Sequence, residues 1–273
     1  MTIPSAATQA RPLFYLGAHQ PHWLAVAGVP LFVSHRRLAG RRTLPRAVAP
    51  WALDSGGFTE LSMFGRWRTT ARQYTAAVRR YRDEIGHLQW AAPRDWMCEP
   101  RILARTGLIV AEHQRRTIAD FLDLRTLAPD LPFIPVLQGW CRGDHLDHVA
   151  QYAAAGVDLA AYPVVGVGSV CRRQNTLSAF LIFTGLARET GLRLHGFGVK
   201  TAGLADYGRH LASADSLAWS VAGRREPGCT RSHASEANCL DYAMDWRDAL
   251  LARLHRATRD QAAPAAASTA VAA

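Results

Sequence analysis

The chain has 273 residues, 49% hydrophobic and 20% charged, which is enough for one large domain with a full core and too apolar for whole-chain disorder. Its longest apolar run, Ala179–Leu186, is interrupted by Thr184 and Gly185 and falls far short of the ~20 residues of a membrane span. Net charge is +10, and Lys200 is the only lysine among 32 basic residues; GC-rich coding alone gives that bias, yet the guanidinium fork suits phosphate, so a polyanionic substrate stays open.

Residues 1–10 and the alanine-rich 262–273 read as disordered ends, leaving one domain over 11–261. Arg11 precedes no long apolar segment, so no secretory signal is expected. Eight short apolar or β-branched runs read as strands: Leu13–Leu16, Leu31–Val33, Ala52–Asp54, Leu88–Ala91, Phe133–Leu137, Tyr162–Val167, Leu192–Phe197 and Ser216–Trp219. Amphipathic helices are expected at Thr69–Ile85, Arg101–Leu124, Asp144–Ala155, Thr176–Glu189, Ala202–Leu211 and Cys239–Arg259. Eight strands with helices between most of them predict an α/β fold, an irregular single-domain (β/α)8 TIM barrel, with a doubly wound open sheet as the alternative. The first two strands are too close for a full helix, which is where the barrel is expected to be irregular. Five scattered cysteines argue against a disulfide framework and for a reducing, cytoplasmic setting.

In such a barrel the chemistry sits at the C-terminal strand ends. Reading past each run gives Asp54-Ser55-Gly56-Gly57-Phe58, then Asp95 to Pro100, then Gln138-Gly139-Trp140. These are followed by Gly166-Val167-Gly168-Ser169, Gly196-Phe197-Gly198, and Asp215 at the eighth strand. Glycines admit close approach of the backbone to a flat ligand. A carboxylate or a glutamine satisfies the donors of a purine edge, aromatics cover its faces, and two further carboxylates can divide nucleophilic and acid–base work. Each residue alone has a plainer role: Asp54 as a turn cap, Gln138 as a satisfied buried amide, Asp215 as a helix-flanking aspartate.

The series resembles the tRNA-guanine transglycosylase superfamily. Leu53-Asp54-Ser55-Gly56-Gly57-Phe58 looks like its Asp-Ser-Gly-Gly-Phe motif, Val136-Leu137-Gln138-Gly139 like its Val-Gln-Gly strand end, and Val165–Ser169 like its glycine-rich base-binding turn. Asp95 falls where the family has an aspartate reading the base edge, and Asp215 where it has its nucleophile. The resemblance implies a glycosyltransferase that exchanges guanine for a 7-deazaguanine base, with Asp215 and Asp54 catalytic. Ser55, Gly56, Gly57, Phe58, Asp95, Gln138, Gly139, Gly166, Val167 and Gly168 would bind the base. The Cys-x-Cys-x-x-Cys…His zinc spacing of bacterial tRNA enzymes is absent, and the chain has no room for the extra C-terminal domains of archaeal members. That makes it more similar to the branch placing deazaguanines into DNA (DpdA-like), with tRNA as the alternative polymer and accessory DNA-modification proteins as partners. A free nucleoside substrate and a barrel that has lost catalysis are the remaining alternatives.

Basic residues after several strands suit phosphate contacts: Arg36, Arg37, Arg172, Arg173, Arg224 and Arg225, and Lys200, at the end of the seventh strand, suits either a phosphate contact or pairing with an acid. The chemistry requires no cofactor. Cys229, His233 and Cys239, with Glu236 as a fourth ligand, have a spacing compatible with a structural zinc; the plainer reading is a loop cysteine, an exposed histidine and a helix-starting cysteine.

Overall fold

Period-two alternation in each strand sends one set of side chains toward the helices and the other into the space the strands enclose. The structure, a computed structural model, describes residues 12–171, 173, 177–199 and 201–262. The expected ends at 1–10 and 263–273 lie outside the described residues, as do Arg172 and Lys200; Ala262, expected to begin the tail, closes the last helix. In chain order the elements begin with β1 (Leu13–Ala18), β2 (Leu31–Ser34), α1 (His35–Leu38), β3 (Trp51–Asp54), α2 (Gly57–Phe64) and α3 (Ala71–Ile85). They continue with β4 (Leu88–Ala91), α4 (Pro100–Thr106), α5 (Val110–Leu127), β5 (Val136–Leu137), α6 (Arg142–Ala154) and β6 (Val165–Val167). The chain ends in α7 (Leu177–Thr190), β7 (Leu194–Gly196), α8 (Thr201–Tyr207), β8 (Ser213–Ser216), α9 (Ala218–Gly223) and α10 (Leu240–Ala262).

All eight strands pair in parallel, in the order β4-β3-β2-β1-β8-β7-β6-β5. A single parallel bridge, Ala91 to Phe133, joins β4 to the segment entering β5. The fold is the expected irregular α/β barrel, and a short 3₁₀ turn at Pro21–Ala25 replaces the helix between β1 and β2. Phe14, Leu16, Val33, Leu53, Val167 and Leu194 face outward into the main core beneath the helices. Tyr15, Ala52, Trp90, Ile134 and Val164 form a separate cluster with Phe32 and Phe197, filling the barrel as a packed interior.

Local chemistry explains where the elements depart from expectation. The helix expected over Arg101–Leu124 is two, because Gly107 takes a left-handed φ of 71° and stops α4. Helix α2 was not expected; Gly56 and Gly65, both left-handed, frame it. Pro132, Pro135 and Pro163 have no N–H for a ladder, so β5 and β6 are shorter than the apolar runs around them. The eighth strand runs three residues earlier than expected: Ser213–Ser216 pair with Leu13–Leu16, and Trp219 belongs to α9. Its small residues carry little strand signal, but they fit a crowded interior where all four are buried.

Trp219 ties this region together. It is fully buried, its ring centroid lies 5.1 Å from that of Trp23, and its indole N–H donates to the Gly17 carbonyl at 2.8 Å. Trp219→Ala is expected to lower unfolding free energy by about 3–5 kcal/mol, read by chemical denaturation. A change near zero would show that the pair does not brace β1 against α9.

Candidate active site

A cavity of about 190 Å³ opens among the C-terminal strand ends, lined by Asp54, Phe58, Asp95, Gln138, Gly168 and Asp215 together with Phe32, Met97, Glu99, Ser169, Cys171 and Phe197. Asp54 ends β3, opposite Ser34 of β2 in the register. The Ser34 hydroxyl and the Gly56 N–H both donate to its carboxylate. Gly56 makes that turn with a φ of 78°, and a Cβ there would sit 2.8 Å from Cγ of Arg36. The next residue, Ser55, is buried; its hydroxyl donates to Asp95 Oδ1 at 3.2 Å and accepts the Gly57 N–H at 3.3 Å.

A continuous polar wall follows. Gln138 Nε2 donates to Asp95 Oδ2 at 2.5 Å, and the Ser169 hydroxyl lies 2.7 Å from Gln138 Oε1 and 3.3 Å from Glu99 Oε2. Ser169 also accepts the Cys98 N–H at 2.7 Å. Those bonds hold Ser169 at a φ of 59°, a left-handed conformation uncommon outside glycine. The Gln138 backbone is fixed as well: its N–H donates to His148 Nδ1 and its carbonyl accepts Gln114 Nε2, both at 2.8 Å. Only glycine fits at Gly168, where a Cβ would lie 2.2 Å from Gln138 Nε2. The remaining walls are aromatic or apolar, so the cavity suits a flat ring with polar groups along one edge.

Electrostatics separate the carboxylates. Burial first, and then the charge of Asp54, push Asp95 up to about 7. Asp54 is also raised, by burial and secondarily by Asp215, against the opposing effect of Ser34, Gly56 and Arg36. Asp215, on β8, is buried; its Oδ1 accepts the Gly198 N–H at 2.9 Å and lies 3.3 Å from His195 Nε2.

Some expected base-binding positions do not line the cavity. Gly139 closes the turn into α6, where a Cβ would meet Asp144 at 2.7 Å; Gly166 lies under the Phe197 ring; the Val167 side chain points into the outer core. Arg36, Arg37, Arg224 and Arg225 are exposed. The Arg173 guanidinium is part-buried, stacked 3.8 Å over Trp140 and donating to the Trp140 carbonyl and Ser178. Expected on the sequence as a phosphate contact, it is committed to this local lock. Glu99, the Ser169 side chain and His195 were not assigned roles from the sequence. The alternation along Leu194-His195-Gly196-Phe197 carries a signal for His195, since it puts His195 and Phe197 on one inward face.

Away from the cavity, Cys229, His233, Glu236 and Cys239 come together between α9 and α10, with ligand atoms all within 4.8 Å of one another. The two sulfurs are 3.6 Å apart, and Cys229 Sγ is 3.3 Å from His233 Nδ1. Zn–S bonds of ~2.3 Å at a tetrahedral angle put sulfurs about 3.8 Å apart, close to this spacing. Glu236 Oε2 is buried with no hydrogen-bond partner, as a ligand oxygen without its ion would be. The cluster could therefore hold a structural zinc.

Two measurements follow from this geometry. Because folding raises the Asp95 pKa, the folded protein keeps that proton where the unfolded chain has lost it, so the stability that Asp95 contributes falls as pH rises from about 4 to about 7, opposite in sign to the contribution of buried His148, which burial pushes down to about 3. The difference in unfolding free energy between Asp95→Asn and the unaltered protein should therefore vary with pH across that window; a difference that stays constant with pH would contradict the assignment. Purified protein is expected to carry about one zinc per chain by elemental analysis, and Cys239→Ser or chelation should remove it and lower Tm. Metal-free protein with an unchanged Tm would contradict the zinc reading.

No helix among the described residues is long and apolar enough to cross a membrane. No curated protein matches the chain. A family model described as DpdA, DeoxyPurine in DNA protein A, matches residues 10–272, and that match takes in every strand and every cavity residue described above. The chain belongs to the DpdA family, related to the tRNA-guanine transglycosylases and involved in deazapurine insertion into DNA.

Proposed function

We propose that this chain is a DNA guanine transglycosylase that replaces guanine with a 7-deazaguanine base. The observation that carries the reading is the gathering of Asp54, Asp95, Gln138 and Asp215 around one cavity with aromatic walls. The target guanine leaves the base stack and enters that cavity, its faces against Phe58 and Phe197. Asp95 accepts from the N1–H and N2–H edge, and Gln138 Nε2 donates to O6. Ionised Asp95 is the form that accepts both donors, so a bound base draws its pKa down from about 7.

Asp215 attacks C1′ of the deoxyribose, a C1′–O bond forms, and the C1′–N9 pair departs with guanine. Asp54, held by burial nearer its acid form, gives its proton to the leaving base. The incoming deazaguanine loses its N9 proton to Asp54 and attacks C1′, and the Asp215 carboxylate leaves. The proton borrowed in one half is returned in the other. Exposed Arg36, Arg37, Arg224 and Arg225 contact phosphates around the mouth. Burial, and then the charges of Arg37 and Arg224, hold His19 below the usual histidine range, which supports a shared role for both arginines beside the end of β1. Cys229, His233, Glu236 and Cys239 would hold a zinc that ties the loop before α10 in place and supplies no chemistry to the exchange.

Radiolabelled guanine offered with duplex DNA, single-stranded DNA and bulk tRNA tests the reading. Label is expected to enter DNA with the unaltered protein. Asp215→Asn should cut incorporation at least about a thousandfold and Asp54→Asn about a hundredfold. Label entering tRNA alone would overturn the DNA assignment. Full incorporation by Asp215→Asn would overturn the nucleophile.

A further inference from the structure

His195 sits inside the barrel with no exposed surface. Its ring is packed by Trp90 at 4.7 Å, Phe197 at 4.8 Å, Phe32 at 5.7 Å and Tyr15 at 6.0 Å between centroids. A leucine or methionine would fill that apolar space without the cost of burying two polar nitrogens. Both nitrogens instead meet one strand: Nδ1 lies 2.8 Å from Ser213 Oγ and Nε2 3.3 Å from Asp215 Oδ1, two residues apart on the inward face of β8.

We propose that His195 is a positioning residue for the Asp215 carboxylate, an inference that rests on the base-exchange reading above. An ionised carboxylate only accepts hydrogen bonds, so Nε2 carries the proton, and the neutral ring then accepts the Ser213 hydroxyl at Nδ1. The hydrogen bonds run in one direction, Ser213 O–H to Nδ1 and Nε2–H to Oδ1. With the Gly198 N–H also on Oδ1 at 2.9 Å, that oxygen is held by two donors. Oδ2 is left as the attacking atom.

The arrangement serves both halves of the exchange. In the first, an Oδ2 lone pair forms the C1′–O bond as the C1′–N9 pair leaves with guanine, and Oδ1 becomes the ester carbonyl. In the second, N9 of the incoming base bonds to C1′, the C1′–Oδ2 pair returns to the carboxylate, and His195 donates to the charge re-forming on Oδ1. No proton passes from His195 to the substrate. The carboxylate sets the tautomer, and the Ser213 hydroxyl, able to donate or accept, satisfies Nδ1 and holds the ring in place.

Two arms test this. In ¹⁵N-histidine NMR of the unaltered protein, His195 is expected as the Nε2–H tautomer, with the Nε2 signal moving in Asp215→Asn. A bare Nε2 with protonated Nδ1 would overturn the proposal. In the exchange assay with saturating DNA, His195→Met keeps the volume without a donor, and His195→Gln keeps an N–H in reach of Oδ1. The Met variant is expected to lose on the order of ten- to a hundredfold in kcat, with the KM for the base nearly unchanged, and Gln to recover most of it. Equal loss in two variants of unaltered Tm, or loss confined to KM, would overturn the positioning role. Exchange absent from the unaltered protein would count against the base-exchange reading, and the NMR arm then decides the His195–Asp215 pairing on its own.

Discussion

Three aspartates share a cavity of about 190 Å³ with Glu99, and the difficulty of charging so many carboxylates in one buried place governs the rest of the site. Asp95 rises to about 7 and Asp54 rises with it, each through burial first and a neighbouring carboxylate second. The surrounding bonds give the three different surroundings. Asp95 is clasped by Ser55 and Gln138, Asp54 by Ser34 and the Gly56 N–H, and Asp215 by Gly198 and His195 on a single oxygen. In the proposed base exchange these surroundings suit one group to read a base edge, one to exchange a proton and one to present a free oxygen.

Parallel closure makes that crowding possible. Each strand delivers its inward residue to the same end, and the Ala91–Phe133 bridge ties β4 to the segment entering β5. Space inside is short, and the sequence shows the consequence. Gly168 leaves room for Gln138, Gly166 for the Phe197 ring, and the small residues of β8 for His195. On the far side of β1, Trp23 and Trp219 brace α9, which follows directly on the strand that carries Asp215. Precision at the carboxylates thus depends on packing a strand away from them.

Much of this was legible in the sequence because it rests on local signals. The eight strands were expected in the right order, since short apolar runs bounded by glycine or polar residues mark them well. Asp54 ends such a run, Gln138 and Gly168 directly follow one, and Asp95 lies four residues after one, which is why the sequence points to them. The eighth strand was displaced by three residues because Ser213-Ala214-Asp215-Ser216 carries no β-branched residue, while the apolar Leu217–Trp219 that attracted the assignment leads into α9. The roles of Glu99 and the Ser169 side chain are visible only in three dimensions, since their partners lie on other strand ends, while strand alternation puts His195 on the inward face without showing that it meets Asp215. Arg173, expected to meet phosphate, stacks on Trp140 and donates to its carbonyl, an engagement with no local sequence signal.

The central claim is that Asp215 forms a covalent bond to the sugar. Incubating the protein with guanine-containing DNA, quenching in denaturant and mapping the adduct by peptide mass spectrometry tests it most directly. The account expects a deoxyribosyl ester confined to the peptide bearing Asp215, absent in Asp215→Asn and discharged when a deazaguanine is added before the quench. An adduct on Asp54 or Asp95, or rapid base exchange with no adduct at any carboxylate, would contradict it.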